Sequence, residues 1–276
     1  MIELENVCFA YPGQGASVRD LSFTVEQGDF VAIIGANGAG KTTTVRLIDG
    51  LLKPTSGHVR IDGKDTAVSG VSERARQIGF LFQNPDRQIC KNTVREEILF
   101  GLRTVRGDEG EDALNARADE VLREFEFTGD EEPFSLSRGE RQKVALASIL
   151  AVEPLTLILD EPTTGLDYRE CCRIMDMIRR MNEEKNVTVI MVCHDMEVVL
   201  DYARRAIVIS GGQLLADGPV RTVFRDRELT ERASVLPPQM IGLSMRLGAG
   251  FEDADTVDAV ADAALTMAKG GARSDG

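Results

Sequence analysis

The chain has 276 residues, of which 43% are hydrophobic, so it can bury a sizeable core, and wholesale disorder is excluded. Its 45 acidic residues outnumber the 32 basic ones and give a net charge of -13. A surface this acidic repels the phosphate backbone on average, so we expect no nucleic-acid partner.

The first third of the chain predicts strands and one helix. Residues 1–34 alternate in polarity, with turn residues at 12–13 and 27–28. Residues 30–34 form a short apolar run bounded by glycine, which is typical of a buried strand. A helix is predicted from Lys41 to about Leu51, because Pro54 stops it shortly afterwards. Further strands are predicted at 57–62 and 78–83.

Helices and buried strands alternate through the rest of the chain. The predicted elements are helices near 94–103 and 113–126, an exposed loop at 106–112, a strand at 155–159, a helix near 169–183, a strand at 187–192 and a hairpin over 206–216. This order indicates an α/β fold with a largely parallel core sheet. After about residue 235 the pattern changes to one or two helices with a loose tail.

The cysteines and the apolar runs indicate neither a metal or disulfide site nor a membrane-spanning segment. Five cysteines without a C-x-x-C pair favour neither a disulfide framework nor a zinc ribbon. No charged-then-apolar leader follows Met1, and no apolar run approaches the ~18 residues that span a bilayer. We therefore expect a reducing compartment, and any membrane role through a partner.

Residues 35–42 (GANGAGKT) match the pattern G-x-x-x-x-G-K-[ST] between a predicted buried strand and a predicted helix. Glycines let several backbone N–H groups point at one phosphate, and the helix N-terminus adds partial positive charge. We expect Lys41 to reach the β- and γ-phosphates of a nucleotide and Thr42 to offer its hydroxyl to Mg²⁺. A glycine-rich turn that fits by chance is the alternative, and the strand–loop–helix context argues against it.

Three further groups fit this phosphate site. Asp160 ends an apolar strand and can hold Mg²⁺ through water. The adjacent Glu161 can orient or deprotonate an attacking water. His194 follows the strand at 187–192, at the edge where open α/β sheets bind ligands, so it can contact the γ-phosphate. The other histidine, His58, is interpreted as a structural residue in a turn.

The segment FSLSRGERQ, residues 134–142, combines charge with a small-residue pair before an apolar run. Ser137 and Glu140 have capping-box spacing, so Ser137 is predicted to begin a helix and Glu140 to bond back to its N–H. A helix N-terminus is also an anion site. Both readings are compatible.

Together these motifs resemble the ATP-binding-cassette (ABC) ATPases over about residues 1–235. The resemblance implies a P-loop NTPase fold with a largely parallel core sheet, an antiparallel β-subdomain and a helical signature subdomain at about 84–150. Residues 236–276 would form a small helical extension and loose tail. ATP and Mg²⁺ are the implied cofactors.

The resemblance also implies roles for individual residues. Glu161, His194 and Gln83 would be catalytic, and Thr42, Gln83 and Asp160 would serve the metal, the last through water. The nucleotide-binding set would be Tyr11 (stacked on adenine), Gly35, Ala36, Asn37, Gly38, Ala39, Gly40, Lys41, Thr42 and Thr43. Thr164, Gly165, Leu166 and Asp167 would form the D-loop. Ser137, Arg138, Gly139 and Glu140 would stand where the family has its LSGGQ signature, which contacts the ATP of a second subunit.

A narrower resemblance is to the ATPase subunits of energy-coupling factor (ECF) importers of the cobalt/nickel type. It is carried by residues 83–88 (QNPDRQ), 212–218 with Val223 and Phe224, and 236–239 (LPPQ). It implies a homodimer or heterodimer of ATPases on the cytoplasmic face of the membrane. Integral membrane subunits and a substrate-binding membrane protein would complete the importer, which would take up a vitamin or a transition-metal ion.

Other functions remain open at this point. A soluble ABC ATPase of DNA repair or translation is the main alternative, although no sustained heptads and no second cassette are visible. A P-loop GTPase or small-molecule kinase would leave the signature and His194 unexplained. A module that does not hydrolyse ATP would not need Glu161.

Overall fold

The computed structural model describes residues 1–13, 15–251 and 254–271, the last four of these by their backbone only. Ten strands are described in this part of the chain: β1 Ile2–Ala10, β2 Ala16–Val25, β3 Phe30–Ile34, β4 Ser56–Ile61, β5 Lys64–Asp65, β6 Ile78–Leu81, β7 Thr156–Asp160, β8 Thr188–Val192, β9 Arg205–Ser210 and β10 Gln213–Pro219. Short 3-10 turns occupy Pro85–Arg87 and Pro133–Ser135.

Eleven α-helices are described in the same residues: α1 Lys41–Ile48, α2 Val71–Ala75, α3 Val94–Arg106, α4 Glu111–Glu124, α5 Arg138–Ala151, α6 Tyr168–Lys185, α7 Met196–Tyr202, α8 Val220–Arg225, α9 Arg227–Ala233, α10 Gln239–Leu247 and α11 Val257–Gly271. No helix in the described ranges is long and apolar enough to cross a membrane.

Two sheets organise the fold. A four-stranded antiparallel sheet has the order β2-β1-β4-β5, and a six-stranded sheet has the order β10-β9-β3-β8-β7-β6. Strands β9, β3, β8, β7 and β6 of the larger sheet are parallel, and β10 is added antiparallel at its edge. The largely parallel core sheet and the separate antiparallel sheet that were predicted are confirmed.

The core strands carry apolar side chains on both faces. Along β3, Phe30, Ala32 and Ile34 belong to one buried cluster, which includes helices α3, α4, α5 and α6. Val31 and Ile33 belong to a second cluster, which joins α1 and the antiparallel sheet. Successive side chains of a strand point to opposite faces, so this continuous apolar run covers two layers at once.

The parallel register brings the functional segments to one edge. Ile33 pairs with Val192, and Val192 pairs with Asp160. The carboxyl ends of β3, β7 and β8 therefore lie side by side. The segments that follow these strands begin at Gly35, Glu161 and Cys193, so all three emerge at the same edge of the sheet.

Some element boundaries differ from the predictions. Helix α1 ends at Ile48 rather than about Leu51, because Gly50 turns the chain with a φ of 73°. The predicted strand at 78–83 ends at Leu81. The predicted loop at 106–112 is shorter, since α3 continues to Arg106 and α4 begins at Glu111.

His58 corrects a second expectation. It lies within strand β4, paired with Glu5 of β1, and not in a turn. Its Nδ1 lies 2.7 Å from Oδ2 of Asp65 on the neighbouring strand β5. The side chain is therefore part of the antiparallel sheet and not of the phosphate site.

Residues after 235 pack on the same core as the sheet. Val235 and Ile241 are buried members of the larger apolar cluster. Ser244, Phe251 and Ala254 are also buried. The helical part of the predicted extension is described as α10 and α11, and the last five residues of the predicted tail lie outside the described residues.

Candidate functional site

The loop between β3 and α1 contains Gly35, Ala36, Asn37, Gly38, Ala39 and Gly40. Two of its glycines are required by close contacts. At Gly35, with a φ of 147°, a Cβ atom would stand 2.0 Å from the carbonyl oxygen of Ile209. At Gly40, with a φ of 105°, it would stand 2.6 Å from the carbonyl oxygen of Ser17. Neither position accepts a side chain without moving the backbone.

Lys41 closes this loop from the first turn of α1. Its ammonium group donates to the carbonyl oxygens of Gly35 and Ala36, each at 2.9 Å, and the residue is only 5% exposed. Burial lowers the pKa of Lys41, while the neighbouring carboxylates of Glu161 and Asp160 act in the opposite direction. A buried cation held by neutral carbonyls can exchange them for a stronger, charge-assisted bond to an anion.

Thr42 and Asp160 meet directly beside the loop. The Thr42 hydroxyl donates to Oδ1 of Asp160 at 3.2 Å. Asp160 is 1% exposed, and its Oδ2 has no hydrogen-bond partner among the described residues. Burial raises the pKa of this carboxyl group. An orphaned buried carboxylate oxygen next to a hydroxyl is a donor set of hard oxygens, which Mg²⁺ prefers.

Glu161 occupies a strained backbone position at the end of β7. Its φ is 58°, a left-handed conformation that residues other than glycine rarely adopt. Its N–H donates to the carbonyl oxygen of Val192 at 2.9 Å, which fixes the turn against β8. From this position the carboxylate reaches the segments that follow the neighbouring strands β6 and β8.

Three side chains converge on the Glu161 carboxylate. The Gln83 amide donates to Oε1 at 2.9 Å, and Nε2 of His194 lies 3.1 Å from the same oxygen. The Thr164 hydroxyl donates to Oε2 at 3.2 Å. The three residues predicted to be catalytic are thus brought together, although they are 78 and 33 positions apart along the chain. The sequence analysis did not predict that Thr164 contacts Glu161. Its position in the D-loop was the only sequence feature that could have indicated this contact.

Tyr11 contacts helix α1 through Thr43. Its hydroxyl is 3.4 Å from Oγ1 of Thr43, and its ring contacts Phe9 edge-on with centroids 4.9 Å apart. The residue is half-buried and Thr43 is buried. Tyr11 is therefore held next to the phosphate-loop helix by one polar and one aromatic contact.

Ser137 begins helix α5, as predicted. Its hydroxyl accepts from the N–H of Glu140 at 3.2 Å, and Oε2 of Glu140 accepts from the N–H of Ser137 at 2.9 Å, so the predicted capping box is confirmed. Hydrogen bonds from the Ser137 side chain and backbone lower the pKa of Glu140. In the described part of the chain, no hydrogen bond or ion pair joins residues 137–140 to the phosphate loop.

Arg138 and Gly139 instead lie against the D-loop. A Cβ atom at Gly139 would stand 2.7 Å from the carbonyl oxygen of Gly165, and the methylenes of Arg138 lie along Gly165. Asp167 is the N-cap of α6, because its side chain accepts from the N–H of Glu170 at 2.8 Å. The predicted signature and D-loop segments therefore pack against each other within one chain.

Helix α5 is also connected to the segment after Gln83, a link that the sequence analysis missed. Asp86 forms an ion pair with Arg141 at 2.7 Å. Gln88 donates to the carbonyl oxygen of Ala145 at 3.3 Å. Spacing in the sequence gives no signal for contacts between segments more than 50 residues apart. These contacts tie the residues that follow Gln83 to the helix that Ser137 begins.

The fold and this site define a P-loop nucleotide-binding protein, with a strand–loop–helix phosphate loop and two carboxylates at the end of a neighbouring strand. The sequence matches the family model described as ABC transporter over residues 18–164, which is more than half of the chain. The chain belongs to this family of ABC transporter ATP-binding proteins, and the predicted family and fold are confirmed.

Three relatives illustrate the similarity. The energy-coupling factor transporter ATP-binding protein EcfA of Methanothermobacter thermautotrophicus is 39% identical over 257 residues, which are 91% of this chain and 82% of that protein. The structure of cbiO1 from Clostridium perfringens, part of the ABC transporter complex cbiONQ, has a TM-score of 0.72 and 30% identity over 88% of this chain and 97% of that one. The ATP-binding cassette MJ0796, in a dimeric post-hydrolysis state bound to ADP and Pi, has a TM-score of 0.73 and 31% identity over 80% of this chain and 99% of that one.

Several other curated relatives are longer proteins. The chain spans about two fifths of their length, with 44%, 40% and 43% covered in three of them. These proteins are described as ABC transporter ATP-binding proteins.

Proposed function

We propose that this chain binds and hydrolyses ATP as the ATPase subunit of an importer of the energy-coupling factor type. The observation that supports this most strongly is the position of Glu161. Its carboxylate is held by Gln83, His194 and Thr164 at the edge of the sheet where the phosphate loop also begins. A carboxylate held at a phosphate site can orient and deprotonate a water molecule.

ATP would occupy the phosphate loop. The N–H groups of residues 35–40 would face its phosphates, and Lys41 would leave the carbonyls of Gly35 and Ala36 for the β- and γ-phosphates. Tyr11 would stack on the adenine ring. Thr43, the hydroxyl partner of Tyr11, would then link the two ends of the nucleotide site.

Thr42 and Asp160 fit a magnesium ion. The unpartnered Oδ2 of Asp160 and the Thr42 hydroxyl are hard oxygen donors beside the phosphate loop. Thr42 would bind the ion directly, Asp160 would bind it through water, and Gln83 would complete the set. When bound, Mg²⁺ supplies charge that stabilises the phosphates during transfer.

The residues around Glu161 have separate tasks in hydrolysis. The oxygen of the attacking water bonds to the γ-phosphorus while the bond from that phosphorus to the β–γ bridging oxygen breaks, which gives ADP and inorganic phosphate. Glu161 takes the proton that the water loses. His194 donates toward the γ-phosphate, and Gln83 holds the carboxylate in place. Lys41 stabilises the negative charge on the departing ADP.

A second subunit would complete the site. Ser137 and Arg138 are exposed at the N-terminus of α5, and no hydrogen bond or ion pair joins them to the phosphate loop of their own chain within the described residues. A helix N-terminus that faces outward can accept the γ-phosphate bound by another subunit. MJ0796 has been observed as a dimer, which supports a head-to-tail arrangement of two such chains.

The importer would contain membrane subunits and a substrate-binding membrane protein. The names EcfA and cbiONQ support an assembly of the cobalt/nickel or vitamin type on the cytoplasmic face of the membrane. Residues 84–90 follow Gln83 and are tied to α5 by the ion pair between Asp86 and Arg141. Movement of a docked membrane subunit could therefore reach both Gln83 and the signature helix.

Purification of the tagged chain from membranes tests this assignment. We expect integral membrane proteins to co-purify and the complex to hydrolyse ATP only with Mg²⁺. Recovery with ribosomes or the nucleoid alone would instead support a soluble ABC ATPase of translation or DNA repair.

A further inference from the structure

Residues 236–239 share a cavity with the catalytic residues. The cavity has a volume of about 520 Å³ and is lined by Glu161, Thr164 and His194 as well as by residues 236–239. The wall formed by residues 236–239 is largely apolar, and Leu236 is 85% exposed. The C-terminal extension therefore forms one wall of the space beside the proposed attacking group.

One hydrogen bond connects this wall to the histidine segment. The N–H of Gln239 donates to Oε1 of Glu197 at 2.7 Å. Gln239 is the first residue of α10, and the preceding Pro238 offers no side-chain cap. Glu197 thus caps α10 from another element, and a carboxylate at a helix N-terminus is favourable both as an acceptor and through the helix dipole.

Glu197 is rigidly connected to His194. The carboxylate of Asp195 accepts from the N–H groups of Glu197 at 3.0 Å and Val198 at 3.3 Å, which fixes the first turn of α7. His194 immediately precedes this cap. The helix turn that carries Glu197 is therefore joined, through the cap at Asp195, to the residue that directly follows His194.

Helix α10, whose first residue bonds to Glu197, is fixed in the apolar core. Helix α10 is anchored by Ile241, which is fully buried, and by Ser244, which is 2% exposed. Ile241 belongs to the same apolar cluster as the core sheet. Helix α10 is thus held in place by the core, and its hydrogen bond to Glu197 connects it to the segment that begins at His194.

We propose that Glu197 is a positioning residue, which uses the C-terminal extension to hold His194 against Glu161. This inference rests on the proposed function, because His194 has a task only if the site hydrolyses ATP. It adds a residue outside the phosphate-site motifs. It also makes the Leu236–Gln239 wall part of the catalytic machinery.

Three variants test the proposal. Glu197→Ala removes the acceptor, and Glu197→Gln keeps an oxygen that can accept from Gln239. Glu228→Ala is the matched control, since Glu228, like Glu197, is the exposed second residue of a seven-residue helix, but its carboxylate faces Arg232 of its own helix at 3.9 Å. Thermal unfolding of each variant checks that the fold is kept.

We expect Glu197→Ala to lower kcat about tenfold with little change in the KM for ATP, because it displaces a catalytic group without touching the nucleotide. Glu197→Gln should restore most of the rate, and Glu228→Ala should behave as the wild type. An unchanged kcat in Glu197→Ala, while the wild type is active, would overturn the proposal. So would equal losses in the Ala and Gln variants.

A second measurement does not need ATPase activity. The chain has only two histidines, so NMR of the imidazole groups gives two sets of signals, and the set from His58 serves as an internal reference. Glu197→Ala should move the His194 signal and leave the His58 signal in place. If neither signal moved, the positioning role would be wrong, and this result would hold even if the wild type did not hydrolyse ATP.

Discussion

Nε2 of His194 lies 3.1 Å from Oε1 of Glu161, the oxygen that also accepts from Gln83. The Glu161 side chain is 16% exposed and that of His194 is 43% exposed, so the pair is open on the histidine side. A γ-phosphate placed there would be within reach of the imidazole. This contact links the segment after β8 to the segment after β7.

Replacement of the histidine tests this contact. We expect His194→Ala to lower kcat by about 100-fold, with little change in ATP affinity, because the imidazole contributes to the reaction step and not to the phosphate loop. Steady-state ATPase assays with ATP titration check both parameters. His58→Ala is the control, since His58 lies on the antiparallel sheet and should keep full activity. Equal rates in the two variants would contradict the role of His194.

Removal of the loop lysine should weaken nucleotide binding itself. Lys41→Ala and the longer Lys41→Met both delete a charge-assisted contact to phosphate, and we expect the Kd for ATP to rise by about 10- to 100-fold. Isothermal titration with Mg²⁺-ATP measures this change.

The unfolding temperature without nucleotide should change little in Lys41→Met, because the buried ammonium of Lys41 already carries a desolvation cost. Unchanged ATP affinity in both variants would argue against the phosphate-loop role.

The signature segment needs a variant that leaves the fold intact. Gly139→Asp would force its side chain against the carbonyl oxygen of Gly165, so a loss of activity there would have two explanations. Ser137→Asp and Ser137→Asn are a better pair, since both residues are good N-caps and differ in charge. We expect the Asp variant to lose cooperative ATPase activity by repelling the partner's γ-phosphate, and the Asn variant to keep more of it. Similar activities with similar stability would show that Ser137 does not face phosphate.

The raised pKa of Asp49 predicts that the stability of the protein depends on pH. Burial raises the pKa of Asp49 to about 7, and the charge of Arg74 opposes this only in part. The folded state therefore favours the protonated acid, so the stabilising contribution of Asp49 is fully present below about pH 4 and is lost as the pH rises through about 7. For Asp49→Asn we expect no such loss, and a gain over the wild type on the order of 3 kcal/mol at pH 8. Urea unfolding at pH 5 and pH 8 measures the difference, and a gain that did not grow with pH would contradict it.

The sequence predicted the local features well. The strand–loop–helix around Lys41 was readable because glycine spacing and an apolar strand are short-range signals. The capping box of Ser137 and Glu140 was readable for the same reason. The predicted largely parallel core sheet followed from the alternation of helices and strands.

Contacts between distant segments could not be predicted from these residues. The approach of Gln83 to Glu161, the pairing of Asp86 with Arg141 and the bond between Gln239 and Glu197 join residues 78, 55 and 42 positions apart. Each depends on how strands are ordered or helices are packed, which local propensity does not encode. His58 was misplaced because a lone polar residue next to Gly57 resembles a turn, while pairing with β1 makes it a strand.

The central claim is that Glu161 activates water at an ATP site, and Glu161→Gln tests it most directly. The amide keeps the size of the side chain and removes the base, so ATP should bind with unchanged affinity while turnover falls at least about 100-fold. Binding and turnover should be measured on the same preparation, with Glu170→Gln as a control, because the half-buried Glu170 carboxylate pairs with Lys143. Retained binding with lost hydrolysis is the predicted result. Undiminished turnover in Glu161→Gln would contradict the account.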